Sequence, residues 1–116
     1  MIRLIHRETG AVLANRLEVA RTLRERMRGL LGRRGLPPGG GLLIENCASI
    51  HTFFMRFPID VVFADADWRV RKLVRRLRPW RVAGAIGAAH VVELPAGTLE
   101  QAGAAPGDMM HIEAGP

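Results

Sequence analysis

Short apolar segments, separated by glycine, proline and acidic turns, recur along most of the chain. Residues 2–5 and 11–13 flank Gly10, which can supply the positive φ of a hairpin turn. Residues 59–64 are apolar at nearly every position, so we expect a strand that is buried on both faces. Further extended segments are predicted at residues 17–20, 42–45, 68–77, 90–94 and 109–113.

The segment 68–77 combines two periodicities. Its apolar positions 70, 73, 74 and 77 have helical spacing. In contrast, Trp68 and the β-branched Val70 and Val74 favour a strand, and the turn chemistry of residues 65–67 favours an antiparallel return. We therefore predict a long, solvated, arginine-rich strand.

One principal helix is predicted to begin at Thr22. Thr22 and Glu25 have the spacing of a capping box, and Gly32 is a favourable C-terminal stop. A single helical turn with the same capping spacing is predicted at residues 98–101, where Gly103 can end it. The principal helix would bury an apolar stripe formed by Leu23, Met27, Leu30 and Leu31.

The length of 116 residues is that of one domain, so we expect residues 1–116 to fold as a single unit. The single cysteine, Cys47, excludes an intrachain disulfide. The chain begins without a secretory signal sequence, and its apolar runs are too short to span a bilayer. We therefore expect a cytoplasmic protein without a membrane segment.

The net charge of +6 is distributed unevenly. Residues 1–81 carry all 17 basic residues and 7 of the 11 acidic ones, whereas residues 82–116 carry the other 4 acids and no lysine or arginine. Such asymmetry is compatible with a basic face that meets an anion or a nucleic acid. The alternative, which is favoured, is a composition rich in arginine, alanine and glycine that has no bearing on function.

The central segment, residues 46–63, contains the most chemically varied side chains. Cys47, His51 and Met55 are spaced four residues apart and offer the soft ligands that Cu(I) prefers. The alternative is that Cys47 and Met55 simply fill the core. A thiol nucleophile at Cys47 with His51 as its base would need a hydrogen-bonded contact, which spacing does not establish. We assign no catalytic residue, metal or cofactor.

The same segment can form a pocket for a small anion or polar ligand. His51 and Arg56 can donate hydrogen bonds, and Asp60 can orient His51 or pair with an arginine. The alternative is a structural ion pair without any ligand. The candidate ligand-binding residues are His51, Met55, Arg56, Asp60, Arg28 and Arg33.

Residues 69–81 include seven basic side chains and no acid, and Trp68 and Trp80 flank them. A basic strand with aromatic residues at its ends can bind single-stranded nucleic acid through phosphate contacts and base stacking. The alternative is an edge strand that its charges protect from aggregation.

Four motifs resemble the DUF192 family, also called UPF0127, of small uncharacterised prokaryotic domains. They are RGLLGR at residues 28–33, HTxxMxxPIDVVF at residues 51–63, VELxxG at residues 92–97 and GD at residues 107–108. The resemblance covers roughly residues 15–113. In many members the central motif carries a tryptophan and a Lys-Asn pair where this chain has FFMRF, so a site built on that pair cannot be transferred.

The resemblance implies an α+β domain with a curled, mainly antiparallel sheet, a partial barrel, with one principal helix and one short helical turn. It implies no activity, because none is established for the family. We therefore expect a non-catalytic binding or accessory module with a ligand site near residues 51–60, and an unknown small ligand or protein as its partner. The alternative is a nucleic-acid or anion-binding protein that uses the basic strand at residues 69–81.

Overall fold

The computed structural model describes residues 2–22, 25 and 29–114. These residues form nine strands and one short helix, α1, at Thr98–Ala102. The strands are β1 (Ile2–His6), β2 (Val12–Ala20), β3 (Gly40–Glu45), β4 (Ser49–His51), β5 (Ile59–Ala64), β6 (Val70–Leu77), β7 (Val82–Gly84), β8 (His90–Pro95) and β9 (Met110–Ala114).

Seven strands form one curled sheet in the order β6-β5-β8-β3-β2-β1-β9, and β4 pairs with β7 in a separate ribbon. Neighbours in the large sheet run antiparallel except β2 and β3, which are parallel. The two sheet edges meet where Arg69 bridges Met109 and where the Val70 amide donates to the Asp108 carbonyl at 2.8 Å. The sheet is a half-barrel, so the expected curled, mainly antiparallel sheet is confirmed.

The sheet separates two apolar cores. Successive residues of a strand point to opposite faces, so Val62 of β5 lies in one core and Val61 in the other. The core that contains Leu99 of α1 is termed the helix-side core, and the one that contains Leu30 and Met55 is termed the loop-side core. Every residue of β5 is buried, as expected from its continuous apolar pattern.

The principal helix predicted from Thr22 falls mostly on residues 23–24 and 26–28, which lie outside the described residues. At its expected start the capping box is formed: the Glu25 amide donates to Thr22 Oγ1 at 3.0 Å, and the Thr22 amide donates to Glu25 Oε1 at 3.1 Å. The described part of the chain is mostly β, with only the short α1 as a helix. An α+β fold with one principal helix is therefore not confirmed.

Helix α1 ends as predicted but begins differently. Gly103 forms its C-cap with a left-handed φ of 67°. The N-cap is Gly97, which has no side chain to form a capping hydrogen bond, and the Thr98 hydroxyl donates to the Pro95 carbonyl at 2.8 Å. The capping box predicted at residues 98–101 is therefore wrong.

The segment with conflicting periodicities is a strand, β6, at one edge of the sheet. A bulge opposite β5 explains the conflict, because Ile59 pairs with Leu77 whereas Val61 pairs with Val74. The extra residue shifts the alternation, so apolar positions recur at mixed intervals. No helix in the described residues is both long and apolar enough to cross a membrane.

Candidate functional site

A pocket of about 230 Å³ opens on the loop-side face of the sheet, beside the central segment. Its apolar walls come from three places: Ile44 of β3, Met55 before β5, and Leu30 in the turn that precedes the 33–39 loop. Its polar groups come from Cys47, from β4 and from β8. Apolar walls with a few converging polar groups are typical of small-molecule sites.

Glu93 reaches into this pocket from the middle of the sheet. Residue 93 pairs with Leu42 of β3 and with Val61 of β5, so it lies between two buried strands. It is 3% exposed, and its Oε1 atom is buried without a hydrogen-bond partner among the described residues. Burial raises the pKa of Glu93 to about 7, although the positive charge of Arg33 opposes this shift.

Arg33 does not form an ion pair with Glu93, because its guanidinium is bound elsewhere. Arg33 Nη1 donates to Glu18 Oε2 at 2.8 Å and Nη2 donates to Glu18 Oε1 at 3.2 Å. This two-point bond lowers the pKa of the Glu18 carboxyl and raises that of Arg33. Arg33 therefore acts on Glu93 only through its charge.

Cys47, His51 and Met55 all line the pocket, so the structure brings the three soft residues together. The Cys47 thiol donates to the Ser49 carbonyl at 3.0 Å, and His51 Nδ1 accepts from the Phe53 amide at 3.2 Å. Each polar side chain is thus bonded to nearby backbone rather than to the other. Cys47 and His51 therefore do not form a nucleophile–base pair joined by a hydrogen bond.

Among the described residues, a cluster of one histidine and two carboxylates is compact enough to hold a metal ion, and it lies away from the pocket. His6, Glu8 and Asp108 place ligand atoms within 4.8 Å of one another. His6 is buried, and its ring binds Thr9 Oγ1 and Asp108 Oδ2, each at 2.7 Å. These bonds tie the β1–β2 hairpin to the turn before β9, which is a sufficient structural role for the cluster.

Asp60 lies on the other face of the sheet, away from the pocket. Its Oδ1 accepts from the Arg76 amide at 2.9 Å, and its Oδ2 accepts from the amides of Gly97 at 3.1 Å and Leu99 at 2.9 Å. The fully buried carboxylate thus anchors the start of α1 and the bulge of β6. The expected pairing of Asp60 with His51 or with an arginine side chain is wrong.

The remaining predicted site residues are dispersed. Arg56 is exposed, next to the buried Met55. Arg33 is half-buried near the pocket, in its pair with Glu18. Arg28 lies outside the described residues. Of the six candidates, the described pocket lining includes His51 and Met55.

Three exposed aromatic residues form a second feature, here termed the aromatic cluster: Phe53, Phe54 and Trp80. The ring centroids of Phe54 and Trp80 are 4.6 Å apart, and those of Phe53 and Trp80 are 5.8 Å apart. Trp68, the other tryptophan beside the basic strand, is half-buried and stacks on His90 with centroids 4.7 Å apart. The two tryptophans therefore differ in accessibility.

Glu93 is absent from the site residues predicted above, although the sequence carries a signal for it. A glutamate inside the apolar run HVVELP, in a segment predicted as a strand, indicates a buried carboxyl group. In the described part of the chain, the carboxyl group of Glu93 lies beside a cavity and not beside an arginine because the turn around Gly29 forms the neighbouring wall. Only the tertiary structure supplies this information.

Comparison with known proteins identifies the family. The DUF192 family model, described as an uncharacterised group, matches residues 4–112. A UPF0127 protein from Thermococcus sibiricus is 34% identical over 115 residues, which cover 95% of this chain and 74% of that protein. A UPF0127 protein from Pyrococcus horikoshii is 44% identical over 54 residues, 46% of each chain.

Two solved structures share the fold. A Sinorhizobium meliloti protein described as a candidate transcription regulator has a TM-score of 0.80 at 26% identity, over 95% of this chain and 90% of that one. A Novosphingobium aromaticivorans protein of unknown function has a TM-score of 0.81 at 25% identity, over 95% and 82% of the two chains. The motifs, the half-barrel and these matches together show that the chain belongs to the DUF192 (UPF0127) family.

Proposed function

We propose that this domain is a non-catalytic binding module whose ligand occupies the pocket beside the central segment. The observation that carries the proposal is the buried Glu93 Oε1, which faces the pocket without a hydrogen-bond partner among the described residues. An unsatisfied buried polar atom costs about 1–3 kcal/mol, so its retention calls for a compensating role. A ligand that donates to Oε1 supplies one.

The pocket limits the ligand's size and character. A volume of about 230 Å³ is below the roughly 300–1,000 Å³ of pockets that hold drug-sized ligands, so the pocket suits a smaller molecule. The walls formed by Leu30, Ile44 and Met55 favour an apolar body. A single donor group at one end, such as an ammonium, amide or hydroxyl, would meet Glu93.

The bonding of the reactive residues supports the non-catalytic character of the proposed site. Nucleophilic catalysis by Cys47 would require a base in hydrogen-bond contact. The Cys47 thiol is bonded to the Ser49 carbonyl, and His51 Nδ1 to the Phe53 amide. The arrangement suits recognition better than covalent chemistry.

Native mass spectrometry of untagged protein, followed by thermal-shift screening of small amines, amides and alcohols, tests the proposal. A Glu93→Leu variant removes the polar anchor and, because it also removes a buried carboxyl group, should fold at least as stably. The matched control is Glu45→Leu, which changes an exposed glutamate at the end of β3. We expect a ligand-dependent mass or melting shift in the parent and in Glu45→Leu, and none in Glu93→Leu. Retention of the ligand by Glu93→Leu, or no shift with any compound in the parent, would contradict the proposal.

A further inference from the structure

The aromatic cluster is an exposed surface that adjoins the pocket proposed above, because the ring of Phe53 contacts that of His51 with centroids 5.2 Å apart. The exposed fractions are 70% for Phe54, 54% for Trp80 and 38% for Phe53. Large aromatic side chains are normally found largely buried, and a surface tryptophan in contact with two phenylalanines is typical of an interaction site.

The fold holds these rings in place through one buried residue. Thr52 is fully buried, and its hydroxyl donates to the Arg78 carbonyl at 2.6 Å and accepts from the Arg81 amide at 2.9 Å. The Thr52 carbonyl accepts from the Trp80 amide, also at 2.9 Å. The loops that carry Phe53–Phe54 and Trp80 are thus bonded to each other, and the cluster is preorganised.

The backbone under two of the rings is unfavourable for bulky side chains. Phe54 and Trp80 each have a φ of 66°, in the left-handed region that aromatic residues rarely adopt. Such conformations cost about 1–3 kcal/mol each and recur at functional sites. Both residues adopt this conformation while their rings are exposed.

The surroundings of the cluster are strongly basic. Arg56, Arg78 and Arg81 are exposed, and each lies within two residues of Phe54 or Trp80 in sequence. Strand β6, which leads to Trp80, contributes further basic side chains. Among the described ion pairs, the only basic residue of the 69–81 segment with a carboxylate within 4 Å is Arg76, which contacts Glu100. The positive charge beside the rings therefore remains largely uncompensated.

We propose that this surface binds single-stranded nucleic acid, with bases stacked on Trp80 and Phe54 and phosphates held by Arg78 and Arg81. Base–aromatic stacking contributes about 1–3 kcal/mol per base, and flanking arginines add phosphate contacts and salt dependence. The combination favours a flexible polyanion with flat, stackable groups over a protein partner. A duplex keeps its bases stacked internally and cannot use the rings.

Intrinsic fluorescence tests the proposal directly. A Trp68→Phe variant leaves Trp80 as the sole tryptophan, so quenching on titration with a 12-nucleotide oligo(dT) or oligo(U) reports contact at the cluster. We expect binding at low salt, with a steep decrease in affinity as salt rises. Single-stranded oligonucleotide should bind at least tenfold more tightly than the matched duplex.

Matched variants separate this site from general basicity. Measured by the fluorescence anisotropy of a labelled oligonucleotide, Trp80→Ala and Phe54→Ala should each weaken binding about tenfold, consistent with the loss of one stacked base. Arg78→Ala with Arg81→Ala should lower the salt slope by about 1–2 relative to Arg7→Ala with Arg16→Ala, which removes two exposed charges from the β1–β2 hairpin. The proposal is overturned by absence of quenching at low salt, by equal affinity for duplex, or by equal effects of the two arginine pairs. Circular dichroism establishes that each variant is folded.

Discussion

Glu93 and Gly29 face each other across the pocket: a Cβ added at Gly29 would stand 3.5 Å from Glu93 Oε1. Gly29 also has a φ of +52°, which favours glycine, so two independent constraints apply at this position. The unbonded carboxylate oxygen is buried beside Gly29, and the absence of a side chain at Gly29 leaves space next to this oxygen.

Gly29→Ala should therefore weaken ligand binding more than it weakens the fold. The added methyl group would contact Glu93 Oε1 and shield it from a ligand. Gly10→Ala is the matched control, because Gly10 has a φ of +76° with no atom within 4 Å of an added Cβ. Both variants should lose about 1–2 kcal/mol of unfolding free energy through backbone strain. Only Gly29→Ala should also lose the thermal shift produced by a pocket ligand; an unchanged shift would contradict the role assigned to Gly29.

The stability of the domain should fall as the pH rises from about 4.5 to about 7. The pKa of Glu93 is raised from its ordinary 4.5 to about 7, so the folded chain holds this proton more tightly than the unfolded chain does. The stabilisation is complete below about pH 4.5 and is lost as the pH rises through about 7, the pKa of Glu93 in the folded chain. The unfolding free energy should change by roughly 3 kcal/mol over this range. Urea unfolding at several pH values measures it.

Glu93→Gln provides the comparison for this pH dependence. Glutamine keeps the size of the side chain but does not titrate, so the unfolding free energy of the variant should change less across this pH range. Parallel pH profiles for the variant and the parent would show that another group causes the dependence. A bound cationic ligand should reduce the effect in the parent, because it favours the ionised carboxylate.

Asp108 should give a stability change of the opposite sign at lower pH. The hydrogen bond from His6, and then that from the Ala105 amide, lower the pKa of Asp108 below its ordinary 3.8. The contribution of Asp108 to the unfolding free energy is complete above pH 3.8, its pKa in the unfolded chain. It is lost as the pH falls through the lower pKa that Asp108 has in the folded chain. Asp108→Asn should therefore flatten the acid limb of the stability profile. If the unfolding free energy of Asp108→Asn decreases at low pH as steeply as that of the parent, other carboxylates cause the acid unfolding.

Asp60→Asn should destabilise the fold strongly, by about 2–4 kcal/mol. The carboxylate accepts hydrogen bonds from three backbone amides, and an amide NH₂ group in place of one oxygen would face at least one of these donors. Asp67→Asn, in the exposed turn before β6, is the control and should change stability by less than about 0.5 kcal/mol. Equal unfolding free energies for the two variants would contradict the anchoring role of Asp60.

Thr52→Val should loosen the aromatic cluster while preserving side-chain shape. The variant loses the hydroxyl that bonds the Arg78 carbonyl and the Arg81 amide, and leaves both part-buried backbone groups without that partner. A cost of about 1–3 kcal/mol is expected. The fluorescence anisotropy of Trp80, measured in a Trp68→Phe background, should fall because the ring gains mobility. An unchanged anisotropy would show that packing between the rings is sufficient to hold them.

Much of the fold is predictable because it follows from local patterns. The apolar run around Val61 to Phe63 requires burial on both faces, and the structure confirms it. Features that depend on distant partners are not predictable in this way. The aromatic cluster exists because Thr52 bonds a loop that lies 26 residues further along the chain. Asp60 was expected to pair with a side chain, but backbone amides brought close by α1 and the β6 bulge take that place.

The pairing of β1 with β9 has a consequence for how the protein is made. The register joins Ile2 to Ala114 and His6 to Met110, so the first strand cannot gain this neighbour until more than a hundred further residues have been synthesised. The opposite sheet edge depends on the same late segment through the bridge between Arg69 and Met109. Contacts of such sequence separation slow folding. The half-barrel therefore closes after translation of β9, and until then β1 must be protected from pairing with other nascent chains.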